Sequence, residues 1–110
     1  MSDKTDFKDM NEFWPFYVGE HKEPLNRALH FIGTSNFIFW LTTAIVRRDY
    51  RFVFLAIFLA YGFAWTGHFF VEKNRPATFR YPLKSLVGDF KMYAKIWQRQ
   101  MEKELAQIKN

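Results

Sequence analysis

Two long apolar stretches dominate the chain and are separated by a short charged segment. The first covers residues 28–46 and the second residues 52–71, and neither contains Lys, Arg, Asp or Glu. Each is about 19–20 residues long, close to the length that an α-helix needs to cross a bilayer. Only Arg47 to Arg51 lie between them. A connection this short predicts an antiparallel pair of membrane-spanning helices.

The two stretches differ in their polar content. The second is almost uniformly apolar, whereas the first carries several hydroxyl and amide side chains, namely Thr34, Ser35, Asn36, Thr42 and Thr43. For the first stretch, a buried or partly inserted helix is therefore the alternative to a complete span.

The segment before the first stretch also has a helical pattern. Apolar side chains recur there at helical spacing, with Pro15 marking a kink or a late helix start: Met10, Phe13, Trp14, Tyr17 and Val18.

After the second stretch, Pro76 and Pro82 favour an extended connection, and an amphipathic helix is predicted over about residues 83–106. Two interpretations are open for it: it lies in the headgroup region with Trp97 as an anchor, or it packs on a partner. The predicted fold is thus all-α, a single integral-membrane domain over residues 1–110 in which amphipathic helices flank a hairpin. The predicted stripe comprises Leu83, Leu86, Val87, Phe90, Tyr93, Ala94, Trp97, Met101 and Leu105.

Composition narrows the class of protein. The chain has 110 residues, a net charge of +5 and no cysteine, which excludes disulfides, thiol catalysis and cysteine-based zinc sites. A basic chain suits nucleic acid or anionic lipid, and the apolar stretches favour membrane lipid over nucleic acid. Most Lys and Arg lie on the side of the hairpin opposite the short loop. The positive-inside rule then predicts that both termini are cytoplasmic, at the inner membrane if the chain is bacterial.

The three histidines lie where apolar and polar sequence meet. His30 is 17 residues before Arg47 and His68 is 17 residues after Arg51. In a hairpin, this places both side chains at one level, about 25 Å from the loop. Asn26 and Glu72 lie 21 residues from the same two arginines, one helical turn further out.

These residues predict a metal site near the cytoplasmic membrane face. Its ligands would be His30 and His68 with His21, Glu72 or both. Two histidines and a carboxylate suit Fe(II) and O₂ chemistry, while three histidines suit zinc as well. Asn26 and Lys73 would support the ligands. The alternatives are a non-catalytic scaffold with a buried His, Asn and Glu network, and a zinc hydrolase with Glu72 as its general base.

Three sequence motifs resemble one known family. They are F-Y-x-x-E-H ending at His21, N-R-A-L-H-F-I-G-T around His30, and Y-G-F-A-W-T-G-H-F-F-V-E-K-N-R-P-A around His68. From about Phe13 to Tyr93 the chain resembles the small membrane proteins related to the fungal 2-hydroxy-palmitic-acid dioxygenase. The resemblance is to their short bacterial branch, formerly a domain of unknown function.

The resemblance implies an Fe(II)-dependent oxygenase that shortens long-chain 2-hydroxy fatty acids by one carbon in α-oxidation, with O₂ and a lipid-derived hydroxy acid as substrates. It implies His21, His30 and His68 as iron ligands, with Glu72 as a ligand or supporting group. Arg27, Lys73 and Arg75 become candidates to hold the substrate carboxylate. The fungal enzyme has an additional histidine where this chain has Glu20, and more apolar spans. A homodimer is therefore one way for this chain to enclose a site.

Overall fold

A computed structural model describes residues 7–108, and all the regular structure in this range is helical. The helices are α1 (Met10–Gly19), α2 (Pro24–Arg47), α3 (Arg51–Thr66), α4 (Pro82–Trp97) and α5 (Met101–Ile108). A π-helical segment, Gly67–Glu72, continues α3, and Ala77–Phe79 forms a 3₁₀ turn. The all-α prediction is confirmed. The chain forms two compact units, one of residues 21–76 and one built from the flanking segments.

The first unit is the predicted hairpin. Both of its helices, Pro24–Arg47 and Arg51–Glu72, are long and apolar enough to cross a membrane. Only 17% of the most apolar window of each is buried within the chain, so their apolar side chains face outward, as lipid-facing helices require and soluble core helices do not. The helices extend slightly beyond the predicted spans, because Pro24 occupies the first turn of α2, where its missing N–H costs nothing.

Polar side chains in the spans find partners within their own helices. The Asn36 Nδ2 donates to the carbonyl of Ile32 at 2.9 Å, and the Thr43 hydroxyl donates to the carbonyl of Phe39 at 2.9 Å. Such bonds to the preceding turn satisfy the polar groups without water. The polar content of the first stretch is thus compatible with a complete span.

Small residues let the two helices of the hairpin approach closely. A Cβ added to Gly33 would lie 3.0 Å from the carbonyl oxygen of Ala60 and 3.2 Å from the Cβ of Phe63. The backbones therefore meet at Gly33 with no room for a side chain, which is how membrane helices gain packing contacts.

The second unit has its own core around α1. The buried side chains of α1 pack against α4, α5 and the 3₁₀ turn, and comprise Phe13, Trp14, Tyr17 and Val18. Gly88 of α4 leaves room for the ring of Tyr17, because a Cβ at position 88 would lie only 2.8 Å from the ring. The Tyr17 hydroxyl bonds to the Asp89 carboxylate. Burial raises the pKa of Asp89 to about 7, because desolvation disfavours its charged form.

The C-terminal helix differs from the prediction. The expected single helix over 83–106 is two helices, because the chain leaves α4 at Gln98 and Arg99 adopts a left-handed conformation with φ of 59°. In one continuous helix, Met101 and Leu105 would continue the stripe that carries Trp97. The turn at Arg99 instead directs them into the core of the second unit, where they are 4% and 8% exposed.

Candidate metal centre

The three histidines converge within one chain. Their ring centroids lie 4.6 Å apart for His21 and His30, 4.6 Å for His21 and His68, and 4.8 Å for His30 and His68. Each residue offers one nitrogen, and these three nitrogens all lie within 4.8 Å of one another. All three side chains are at most 5% exposed. Among the described residues, they form a group able to hold a metal ion, and a second copy of the chain is not required to complete it.

Hydrogen bonds determine the tautomer of two of the histidine rings. The Nδ1 of His30 lies 2.9 Å from the carbonyl oxygen of Asn26, which only accepts, so Nδ1 carries the proton. The Nδ1 of His68 lies 2.7 Å from the Oδ1 of Asn74 and donates in the same way. In a neutral imidazole, the other nitrogen then carries the lone pair. His30 and His68 are therefore both prepared to bind a cation through Nε2.

The nitrogen spacing fits a shared ion. The Nε2 atoms of His21 and His30 are 3.3 Å apart. Two imidazole nitrogens bound to one ion at about 2.1 Å would lie roughly 3.0–3.4 Å apart for angles between 90° and tetrahedral. The His30 Nε2 lone pair also needs a proton or a cation in front of it, because burial removes water as a partner. The donor set and its spacing thus suit a first-row transition metal.

Asn26 and Glu72 form a layer beside the histidines. The Glu72 carboxylate accepts from the backbone N–H of Glu23 at 2.6 Å and from the Nδ2 of Asn26 at 3.2 Å. Glu23 is the N-cap of α2 and makes no side-chain cap bond, so Glu72 supplies the negative charge that this helix end favours. The carboxylate thereby ties the end of α3 to the start of α2, and it lies outside the three-histidine group.

Gly67 makes this layer possible. A Cβ at position 67 would lie 1.8 Å from the Oδ1 of Asn26 and 3.3 Å from its Cα. Asn26 is completely buried, and its Oδ1 has no hydrogen-bond partner among the described residues. Only a glycine at position 67 lets the Asn26 side chain pack against the end of α3. In this position the backbone carbonyl of Asn26 accepts from His30.

The π-helical segment brings Asn74 back to His68. Its wider turns run from Gly67 to Glu72 and end at Lys73, whose φ of 62° is left-handed. This reversal lets the backbone N–H of Asn74 donate to the carbonyl of His68 at 2.9 Å while its side chain accepts from the ring. Single π-helical turns frequently occur at functional sites because they redirect side chains. Asn74 was not among the predicted site residues, although it lies within the E-K-N-R-P motif.

Arg27 is buried and holds the turn that carries His21. Its Nη1 donates to the carbonyls of His21 at 2.9 Å and Lys22 at 2.7 Å. It is 7% exposed. Two charge-assisted bonds fix the position of His21, which no helix holds directly. The structure therefore gives Arg27 a part in placing a ligand.

Lys73 and Arg75 lie in a different setting. Together with Phe69, Phe70 and Asn74 they line an open concavity of about 490 Å³. It combines two cations with two aromatic rings, and it includes the residue that holds His68.

The predicted site residues therefore divide into three groups. His21, His30 and His68 come together, and Asn26 and Glu72 lie in the adjoining layer. Arg27, predicted to hold the substrate carboxylate, bonds the backbone at His21, while Lys73 and Arg75 line the concavity. Gly67 and Asn74 were not among the predicted site residues. Both lie in the T-G-H-F-F-V-E-K-N-R-P motif around His68, which was the signal that could have found them.

Comparison with known proteins agrees with this assembly of motifs. No curated protein and no solved structure matches the chain significantly. A family model described as 2-hydroxy-palmitic acid dioxygenase Mpo1-like matches residues 7–101, which include all three histidines and the adjoining layer of Asn26 and Glu72. Because this match covers most of the chain, the protein belongs to the 2-hydroxy-palmitic acid dioxygenase Mpo1-like family.

Proposed function

We propose that the protein is a membrane-embedded, Fe(II)-dependent oxygenase that acts on long-chain 2-hydroxy fatty acids and shortens them by one carbon with O₂. The observation that carries the proposal is the buried group of three histidines, in two of which Nδ1 lies at hydrogen-bond distance from an oxygen and so leaves the Nε2 lone pair for a metal. The family description supports the reaction class.

The metal would be held by His21, His30 and His68. Fe(II) held by three neutral nitrogens would keep positions open for O₂ and substrate and would supply the site at which O₂ is activated. The four electrons that reduce O₂ would come from the substrate, because R–CHOH–COOH and O₂ balance to R–COOH, CO₂ and H₂O. Asn26 and Asn74 hold two of the rings through Nδ1, and such supporting bonds raise the basicity of a ligand histidine. Glu72 joins the two helices and holds Asn26, which makes it a supporting residue in this proposal.

The substrate would approach from the membrane. In our proposal Lys73 and Arg75 hold its carboxylate, Phe69 and Phe70 contact the first part of the acyl chain, and the remaining chain lies along the apolar hairpin. A fatty acid places its head at the interface, so the 2-hydroxyl and the carboxylate would enter beside Asn74. We propose cytoplasmic termini for this hairpin, because the basic residues favour that side.

Metal binding tests the proposal most directly. The protein would be purified in detergent, reconstituted with Fe(II) without oxygen, and analysed for iron beside His21→Ala, His30→Ala and His68→Ala. Asn36→Ala is the matched control, because this amide bonds only within α2, away from the histidines. We expect stoichiometric iron in the wild type and the control, and its loss in each histidine variant.

The same variants separate the alternatives. A non-catalytic scaffold would lose thermal stability in the histidine variants while containing no metal in the wild type. A zinc hydrolase would retain zinc in competition and consume no O₂. The oxygenase requires O₂ consumption that depends on a 2-hydroxy fatty acid and is absent with the corresponding acid that lacks the hydroxyl. Iron-loaded protein without this dependence would refute the substrate assignment while leaving the metal site intact.

A further inference from the structure

Helix α4 carries apolar side chains on the face that points away from its own unit. Its buried positions are Ser85, Gly88 and Met92. The exposed apolar positions form what we call the outward stripe, which comprises Leu83, Leu86, Val87, Phe90, Ala94 and Trp97. At 3.6 residues per turn, the stripe covers an arc of about 100° opposite the buried positions.

The exposure of the stripe is large for a soluble surface. Leu83 is 76% exposed, Val87 51% and Trp97 66%. Isolated apolar side chains on a surface need no explanation, but a continuous row along four turns of one helix indicates a contact with an apolar environment. The core of the second unit does not use these residues, because α1 and α5 pack on other side chains.

Charge narrows the choice of partner. Lys84, Lys91 and Lys95 lie on one flank of the stripe. Lys91 also lies over the Trp14 ring at 4.5 Å and Lys95 pairs with Glu104 at 3.3 Å, whereas Lys84 has no such contact among the described residues. The only acidic residue of α4 is Asp89, whose carboxylate bonds to Tyr17. Basic residues beside an apolar stripe suit anionic headgroups. A second copy of α4 would bring like charges to the seam, whereas paired helices normally place opposite charges there.

Chain connectivity favours the membrane as well. Nine residues separate Glu72, the end of the second span, from Pro82, the start of α4. Even when fully extended they reach about 35 Å, so the stripe is tethered close to a bilayer surface and meets it at high effective concentration. Trp97 at the end of the helix is the residue type that settles at the interface.

We infer that the outward stripe of α4 lies in the headgroup region of an anionic bilayer, as a second membrane contact beside the hairpin. This inference rests on the membrane-embedded part of the proposed function and on none of its chemistry. The second unit would thereby be held at the cytoplasmic surface by α4, with the α1 and α5 side facing water.

Site-directed spin labelling tests this contact, because the chain contains no cysteine and a single introduced one is labelled specifically. The label would be placed at Val87→Cys in the stripe and at Gln107→Cys, an exposed position of α5 in the same unit. Phe54→Cys, at a residue of α3 that is 75% exposed, reports on the span. Each labelled protein would be reconstituted in bilayers with and without anionic lipid, with helical circular dichroism equal to that of the unlabelled protein as the check of folding.

We expect dissolved O₂ to reach the labels at Val87 and Phe54 better than a water-soluble nickel chelate does, and the reverse at Gln107. Nickel accessibility at Val87 should be several-fold lower than at Gln107, and should rise when anionic lipid is removed or salt is added. A label at Val87 that behaves like Gln107 would overturn the inference while the span stands. Exclusion of both reagents at Val87 would mean that protein covers the stripe. Nickel access at Phe54 would overturn the membrane assignment itself.

Discussion

Replacement of Gly67 by alanine tests whether Asn26 is held between the helices as the structure shows. The new Cβ would lie 1.8 Å from the Oδ1 of Asn26 and 2.8 Å from its Cγ. A carbon normally approaches an oxygen to about 3.3 Å, so the amide must withdraw by roughly 1.5 Å. Asn26 is completely buried and its Cα is also close, so the side chain has no solvent to move into.

The expected loss has two parts. Overpacking costs about 1–3 kcal/mol, and breaking the bond between Asn26 and Glu72 in a buried setting costs about 1–3 kcal/mol more. The better helix propensity of alanine returns about 1 kcal/mol. The net loss is about 3 kcal/mol, which corresponds to a fall of roughly 10 °C or more in the unfolding midpoint. Because the carbonyl of Asn26 holds His30, metal affinity should fall by about 10–100-fold as well.

Gly62→Ala is the matched control, since a Cβ there meets nothing within 4 Å and Gly62 lies in the same helix one turn and a half earlier. Circular dichroism melting in detergent and calorimetric titration with a divalent metal would be measured for both variants. We expect the control to match or slightly exceed the wild type. Equal midpoints and equal affinities for the two variants would refute the role given to Asn26. A lower midpoint at position 67 with unchanged affinity would leave Asn26 a packing role only.

Three further predictions concern Asn74, Asp89 and Gly33. Asn74→Leu removes the acceptor of the His68 Nδ1 and should lower metal affinity about 10–100-fold, whereas Asn74→Asp keeps an acceptor and should retain binding, as titration calorimetry would show. The raised pKa of Asp89 means that the folded protein keeps a proton that the unfolded chain releases above its ordinary pKa of 3.8. The free energy of unfolding should therefore fall as the pH rises from 3.8 to about 7, by up to about 1.4 kcal/mol per pH unit, and level off above that. Asp89→Asn should remove this slope when denaturation is measured at a series of pH values. Gly33→Val forces the hairpin apart at Ala60 and should cost about 1–3 kcal/mol in thermal unfolding.

Each of these predictions has an outcome that contradicts it. Equal metal affinity in the leucine and aspartate variants at position 74 would show that the His68 ring needs no acceptor. An unchanged pH slope in Asp89→Asn would assign the proton to another group. A Gly33→Val protein as stable as the wild type would mean that the helices are further apart at this point than the structure places them.

Hydrophobic patterning and counting along the hairpin predicted much of the site. Two apolar stretches joined by five residues permit few arrangements other than an antiparallel pair, and a fixed rise per residue then sets the level of each side chain. The equal distances from the loop predicted that His30 and His68, and likewise Asn26 and Glu72, lie at one level, and the structure shows that each pair also meets. The family motifs pointed to His21, whose position the hairpin alone does not determine.

The hydrophobic pattern could not predict features that depend on local breaks in regular structure. The left-handed turn at Arg99 sends Met101 and Leu105 into a core and leaves the earlier part of the same stripe outside, although both halves share one periodicity. Hydrophobic spacing shows that residues share a face and does not show what the face meets.

The sequence by itself determined the hairpin, its level-matched pairs and the residue types able to bind a metal, because these follow from chain length, periodicity and side-chain chemistry. Only the tertiary structure decided which nitrogens face one another and which groups hold them. The π-helical end of α3 carries Asn74 back to His68, Gly67 admits Asn26, and Arg27 fixes the turn at His21. Those choices depend on differences of a few tenths of an ångström in the distances between segments far apart in the chain, and close packing makes such differences matter.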